Sequence, residues 1–258
     1  MAFPKMALSK MFGASGSLDM IPLSTSVPAS VPADASKSLY CYHSGVSNAL
    51  NSSFPIPIKA VFLDRDGVLN EKMPEGRYVT RWDEFQVLPG VPEAIGLLNG
   101  AGIPVIVVSN QRGIALGLYS EEDVREIHAN FQGLLETQNA HIDGFYFCPH
   151  DNDGCNCRKP LPGMFEQAVA DFPSITAAGS VMIGDSITDI DFGRRLGMTT
   201  VFLTGNAEHQ KLGAEAARDL SKFQYPSLYA AVTSLLGKRT APSFGNGSMC
   251  LGFPANPR

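Results

Sequence analysis

"AVFLDRDGVLN", residues 60–70, runs from four apolar residues straight into two carboxylates. Ala60, Val61, Phe62 and Leu63 have the composition of a short strand buried on both faces. Asp64 and Asp66 follow at once, with Arg65 between them and Gly67 behind. A carboxylate at the edge of a core is unfavourable unless something pairs with it, and two of them repel. One reading is an ordinary turn built from Asp and Gly; the other is a site that needs both acids. What stands at the ends of the other apolar runs decides between them.

Four more such runs follow: "IPVIVVSN" (103–110), "FYFCPH" (145–150), "SVMIGD" (180–185) and "TTVFLTG" (199–205). Amphipathic segments separate them. In residues 120–138 Ser120 can cap a helix whose apolar stripe is Val124, Ile127, Phe131, Leu134 and Leu135. Further helices start near Pro92, Pro162 and Ile187. Strands alternating with helices predict an α/β fold, a doubly wound parallel sheet covered on both faces. Four of the five runs end in residues with chemical uses: Asp64 and Asp66, Ser109 and Asn110, Cys148 and His150, and Asp185. Ligands of open parallel sheets bind outside the carboxyl ends of the strands, so neighbouring strands would gather these groups in one crevice.

Asp64, Asp66 and Asp185 can share a crevice only around a cation, and oxygen donors favour a hard ion such as Mg²⁺. "CRKP" adds Arg158 and Lys159, Ser109 adds a hydroxyl, and "NQRG" adds backbone donors and Arg112. Together these describe a pocket for a phosphoryl group. Asp64 would attack phosphorus to form an aspartyl-phosphate. Asp66 would protonate the leaving oxygen and then take a proton from water, which requires it to be protonated in a useful fraction of complexes.

"DRDGVLN", the strand ending in Ser109, Lys159 and "GDSITD" occur in an order that resembles the haloacid dehalogenase superfamily of phosphatases, over roughly residues 58–236. The resemblance implies Asp64 as nucleophile and Asp66 as general acid/base. It implies Mg²⁺ held by Asp64, Asp185 and the Asp66 backbone carbonyl, with Ser109 and Lys159 on the phosphoryl group. Asp189 would assist through water or cap the helix that follows.

"CPHDNDGCNC" places Cys148, His150, Cys155 and Cys157 within ten residues. Four soft or borderline donors with a glycine between them fit a closed, structural Zn²⁺ site that would pin the approach to Arg158 and Lys159. With "NQRGIALG" after the second strand, this loop resembles the heptose bisphosphate phosphatase branch, whose members act on small phosphorylated sugars. The histidinol-phosphate phosphatase branch shares the zinc loop and is the alternative. Against the pattern of the heptose branch, Arg112 stands where a small residue is common, and Leu116 replaces a frequent Arg.

Residues 70–90 are too long for a simple connection and predict a short lid anchored by Trp82, with Arg77 beside the substrate. Arg77, Arg112 and Arg158 are expected to hold a second phosphate or the sugar. His128 and His141 are expected to be packing or surface residues. A hydrophobic share of 44% supports a sizeable core, and a net charge of −5 offers no basic track for nucleic acid. No apolar run is long enough for a membrane span, and clustered rather than spread cysteines suit a reducing, cytoplasmic compartment. Residues 1–55, with twelve serines and only five charged side chains, are expected to be a disordered extension. The phosphatase domain would span 56–236 and a disordered tail 237–258, the whole acting as a monomer. Cys41, His43 and Cys250 receive no role.

Overall fold

The computed structural model describes residues 54–55, 57–151, 154–205 and 213–237. The two expected terminal extensions, with Cys41, His43 and Cys250, lie outside them, apart from residues 54, 55 and 237. Six parallel strands form one sheet in the order β3-β2-β1-β4-β5-β6. They are β1 (Ala60–Leu63), β2 (Val105–Asn110), β3 (Gly144–Cys148), β4 (Ser180–Gly184), β5 (Thr199–Leu203) and β6 (Phe223–Tyr225). The first five are the apolar runs of the sequence. The sixth, "FQY", is too short and too polar to stand out by composition.

β1 occupies the position where the winding reverses, with β2 on one side and β4 on the other. Phe62 aligns with Ile106 across one boundary and with Met182 across the other. Alternation then divides the core. Val61, Leu63, Val105, Val107, Val181 and Ile183 face one layer, which contains helices α1 (Val91–Gly100), α3 (Glu121–Glu136) and α7 (Leu228–Leu235). Ala60, Phe62, Ile106, Val108 and Met182 face the other, against α4 (Gly163–Asp171) and α5 (Ile187–Leu196). A short α2 (Arg112–Ala115) follows β2, and α6 (Ala214–Leu220) packs on α5.

α3 begins as its sequence requires. The Ser120 hydroxyl accepts from the Asp123 N–H at 3.2 Å while the Asp123 carboxylate accepts from the Ser120 N–H at 2.7 Å. Val124, Ile127, Phe131 and Leu135 are buried, and Leu134 is only half-buried. His128 is buried too, stacked on Phe145 with ring centroids 4.5 Å apart. His141 stays at the surface.

Candidate active site

Because β3, β2, β1 and β4 are adjacent and parallel, their carboxyl ends bring Cys148, Ser109, Asn110, Asp64 and Asp185 to one rim. Asp64 continues the ladder, its N–H donating to the Ile183 carbonyl at 3.1 Å. The chain then turns through Gly67 at φ +97°, where a Cβ would lie 2.2 Å from an Asp185 carboxylate oxygen. Only glycine lets the two acidic loops approach this closely.

Lys159 is the hub of the inner site. Its Nζ lies 2.7 Å from Asp64 and 2.7 Å from Asp189, and donates to the Val108 carbonyl at 2.7 Å. Burial alone would lower its pKa, but the charges of Asp189 and Asp64 outweigh this and raise it. Burial, then repulsion from Asp189, pushes Asp64 up to about 6 against the pull of Lys159. Asp189 does two jobs. One oxygen accepts from the Ser186 N–H at 3.1 Å and the Ser186 hydroxyl at 2.5 Å, closing the start of α5. The other meets Lys159. Asn110 spends its side chain on the Lys159 backbone, donating to its carbonyl at 3.1 Å and accepting from its N–H at 2.9 Å. Asn110 also lines the cleft above the site.

Asp66 is held differently. Arg65, almost fully buried, donates to both its oxygens at 2.9–3.2 Å, and Asn70 and Gln111 add bonds at 3.0 and 3.2 Å. Burial would raise the pKa of Asp66, yet the Arg65 charge and these hydrogen bonds together lower it. The carboxylate is thus kept ionised at rest. Release from Arg65, or a new negative charge beside it, is needed before it can act as an acid. Gln111 also donates to the Ser109 hydroxyl at 2.7 Å and accepts from the Tyr119 hydroxyl at 2.8 Å. Burial raises Tyr119 to about 12, so it stays protonated. Arg65, Gln111 and Tyr119 were not singled out by spacing, because their partners are set by loop packing. Arg65 and Gln111 carry one sequence signal, position inside the motifs "DRDG" and "NQRG"; Tyr119, outside both, carries none.

Carboxylate oxygens of Asp64, Asp185 and Asp189 lie within 4.8 Å of one another. Lys72, from the lid, pairs with Asp185, so two lysines face three acids. This all-oxygen set, short of one positive charge, fits a hard divalent ion. The Asp66 side chain is turned to Arg65, leaving only its backbone for such an ion. Cys148, His150, Cys155 and Cys157 form a second group within 4.8 Å. Four of their six separations are 3.1–3.6 Å, close to the edges of a tetrahedron around an ion bound at about 2.0–2.3 Å. Burial raises the Cys148 and Cys157 thiols, while hydrogen bonds outweigh burial and lower Cys155.

A cleft of about 780 Å³ covers the inner site, lined by Asp64, Asp66, Ser109 and Lys159 below and by Arg77, Arg112 and Arg158 at its mouth. Arg112 already bonds Asp151 at 2.6 Å, and Arg158 reaches the His150 carbonyl at 3.4 Å, so both rim arginines lean on the cysteine loop. The lid leaves and returns through adjacent backbone bonds, Glu71 N–H to the Gln86 carbonyl at 2.7 Å and Leu88 N–H to the Leu69 carbonyl at 2.9 Å. Val79 and Phe85 bury in the core, and Trp82 stacks on Phe85 at 5.5 Å.

A family model described as HAD-hydrolase-like matches residues 156–230. The D-glycero-alpha-D-manno-heptose-1,7-bisphosphate 7-phosphatase of Mycobacterium tuberculosis is 33% identical over 170 residues, 66% of this chain and 87% of that one. The corresponding beta-anomer phosphatase of Yersinia pestis is 36% identical over 170 residues, 63% of this chain and 88% of that one. A crystal structure of D,D-heptose 1,7-bisphosphate phosphatase from B. bronchiseptica, complexed with magnesium and phosphate, superposes with a TM-score of 0.61. It is 30% identical and covers 70% of this chain and 99% of its own. Sheet order, strand-end acids and buried lysine define a phosphatase of the haloacid dehalogenase class. Within that class the chain belongs to the heptose bisphosphate phosphatase family.

Proposed function

We propose that the protein removes the 7-phosphate of D-glycero-D-manno-heptose 1,7-bisphosphate through an aspartyl-phosphate on Asp64. The observation that carries this is the single Lys159 ammonium bridging Asp64 and Asp189 beneath a cleft ringed by arginines. In this reading Asp64 attacks phosphorus as the sugar oxygen departs. Ser109 and Lys159 hold the phosphoryl oxygens. Asp66, drawn off Arg65, gives the leaving oxygen its proton, and then takes one from the water that frees phosphate and restores Asp64. Mg²⁺ on Asp64 and Asp185 would supply positive charge against the dianion, and Lys72 would yield Asp185 to it. Zn²⁺ on the cysteine loop is structural. Three free thiols there suit a reducing cytoplasm. Among the described residues no helix is long and apolar enough to cross a membrane.

The test compares specificity constants for phosphate release from both heptose bisphosphate anomers and from histidinol phosphate, with Mg²⁺ and after chelation. A heptose bisphosphate is expected to lead. Preference for histidinol phosphate, or turnover that survives chelation, overturns the reading.

A further inference from the structure

We propose that Gln111 and Tyr119 are positioning residues that set the direction of the Ser109 hydroxyl, reserving its proton for the transferred phosphoryl group. This rests on the reading of Ser109 as a phosphoryl ligand. The inference follows from which atoms can only give and which can only receive. Asp66, facing the Arg65 guanidinium, is an acceptor. The Gln111 atom 3.2 Å from it must therefore be the amide nitrogen. That same nitrogen lies 2.7 Å from Ser109 Oγ, so the serine oxygen receives a hydrogen bond and its own proton points elsewhere. Gln111 Oε1 is left facing Tyr119, whose hydroxyl donates at 2.8 Å and prevents the amide from turning over. All three side chains are buried, Ser109 and Gln111 at 1% exposure and Tyr119 at 7%, so water offers little competition for the bonds.

The backbone is shaped to admit Tyr119. A Cβ on Gly113 would fall 2.1 Å from the tyrosine ring, so α2 carries glycine where the ring crosses it. The cleft is lined by Ser109 but by neither Gln111 nor Tyr119. The pair therefore acts on a bound phosphate only through the serine and through Asp66. A hydroxyl free to spin would point its lone pairs at the phosphoryl oxygens part of the time. One held as an acceptor from behind presents its proton at no reorganisation, as transition-state stabilisation requires.

A double-mutant cycle on the Mg²⁺-loaded full-length enzyme tests this, with phosphate release from the heptose bisphosphate and melting temperature measured for each form. Tyr119→Phe keeps the ring and removes the donor. It is expected to lower kcat/KM about fivefold in the parent and less than about twofold on Ser109→Ala. Gln111→Met, similar in volume but without the amide, should likewise lose most of its effect on Ser109→Ala, keeping the part that acts through Asp66. The same factor in both backgrounds overturns the relay while leaving Ser109 on the phosphate. A Ser109→Ala enzyme with unchanged kcat/KM refutes the phosphoryl role of Ser109 itself, and the relay with it.

Discussion

Lys159 and Arg158 are neighbours in the chain and opposites in the structure. The lysine side chain is 2% exposed and committed to Asp64, Asp189 and a backbone carbonyl. The arginine is half-exposed at the mouth of the cleft, with one long bond to the His150 carbonyl. The same contrast separates the whole inner site from the rim. Inside, the Lys159, Asp66 and Asp189 side chains are each held by two or three residues. Outside, Arg77, Arg112 and Arg158 stand where a ligand can recruit them. On the proposed reading, steps common to any phosphate ester would fall to the buried inner site, and choice of ester to the more exposed rim.

The largest effect that would break this division is at its centre. Asp64→Asn should abolish turnover, a loss of at least about 10³-fold, while the protein still unfolds cooperatively. Residual activity would end the covalent route. Lys159→Met should lower kcat about 10²–10³-fold and cost about 3–5 kcal/mol in a denaturant titration, because Asp64 and Asp189 lose a buried partner. Arg158→Met should act mainly on KM and leave stability within about 0.5 kcal/mol. Equal destabilisation by the two would erase the contrast. Stripping the cysteine loop of metal should lower kcat with the melting temperature, since that loop leads directly into Lys159; readdition of Zn²⁺ should restore both. Arg112→Ala should raise the Michaelis constant of a bisphosphate about tenfold and that of a monophosphate far less; parallel changes would remove the arginine from the second phosphate.

A separate effect concerns pH. Burial, with the Arg65 charge behind it, pulls His128 down from 6.5 to about 3. The unfolded chain therefore takes up a proton first, and stability should fall as pH drops from about 6.5 towards 3. His128→Leu should flatten the melting temperature across that window. An unchanged slope would mean that the carboxylates alone set acid sensitivity.

Much of the fold was legible because buried parallel strands announce themselves as short apolar runs. β6 escaped, since three residues with a central glutamine carry no such signal. Asp64, Asp185 and Ser109 came from one geometric rule, that strand ends face a common crevice, and Lys159 from the "CRKP" run after the cysteine loop. Asp189 left two readings open in sequence, and its carboxylate turned out to serve a helix start and a lysine at once. Gln111 and Tyr119 were passed over because a side chain eight residues away across a tight loop has no period to betray it. Lys72 and Asp185 are 113 residues apart, and their pairing comes from the packing of the lid.

That lid departs and rejoins at touching points, Glu71 against Gln86 and Leu69 against Leu88. An excursion with a stitched base can be exchanged for one of another length with little loop-closure entropy and no displacement of β1. The exposed residues 74–77 could in this way be exchanged with Lys72, Val79 and Phe85 left in place, refitting the mouth of the cleft for a bulkier or smaller ligand.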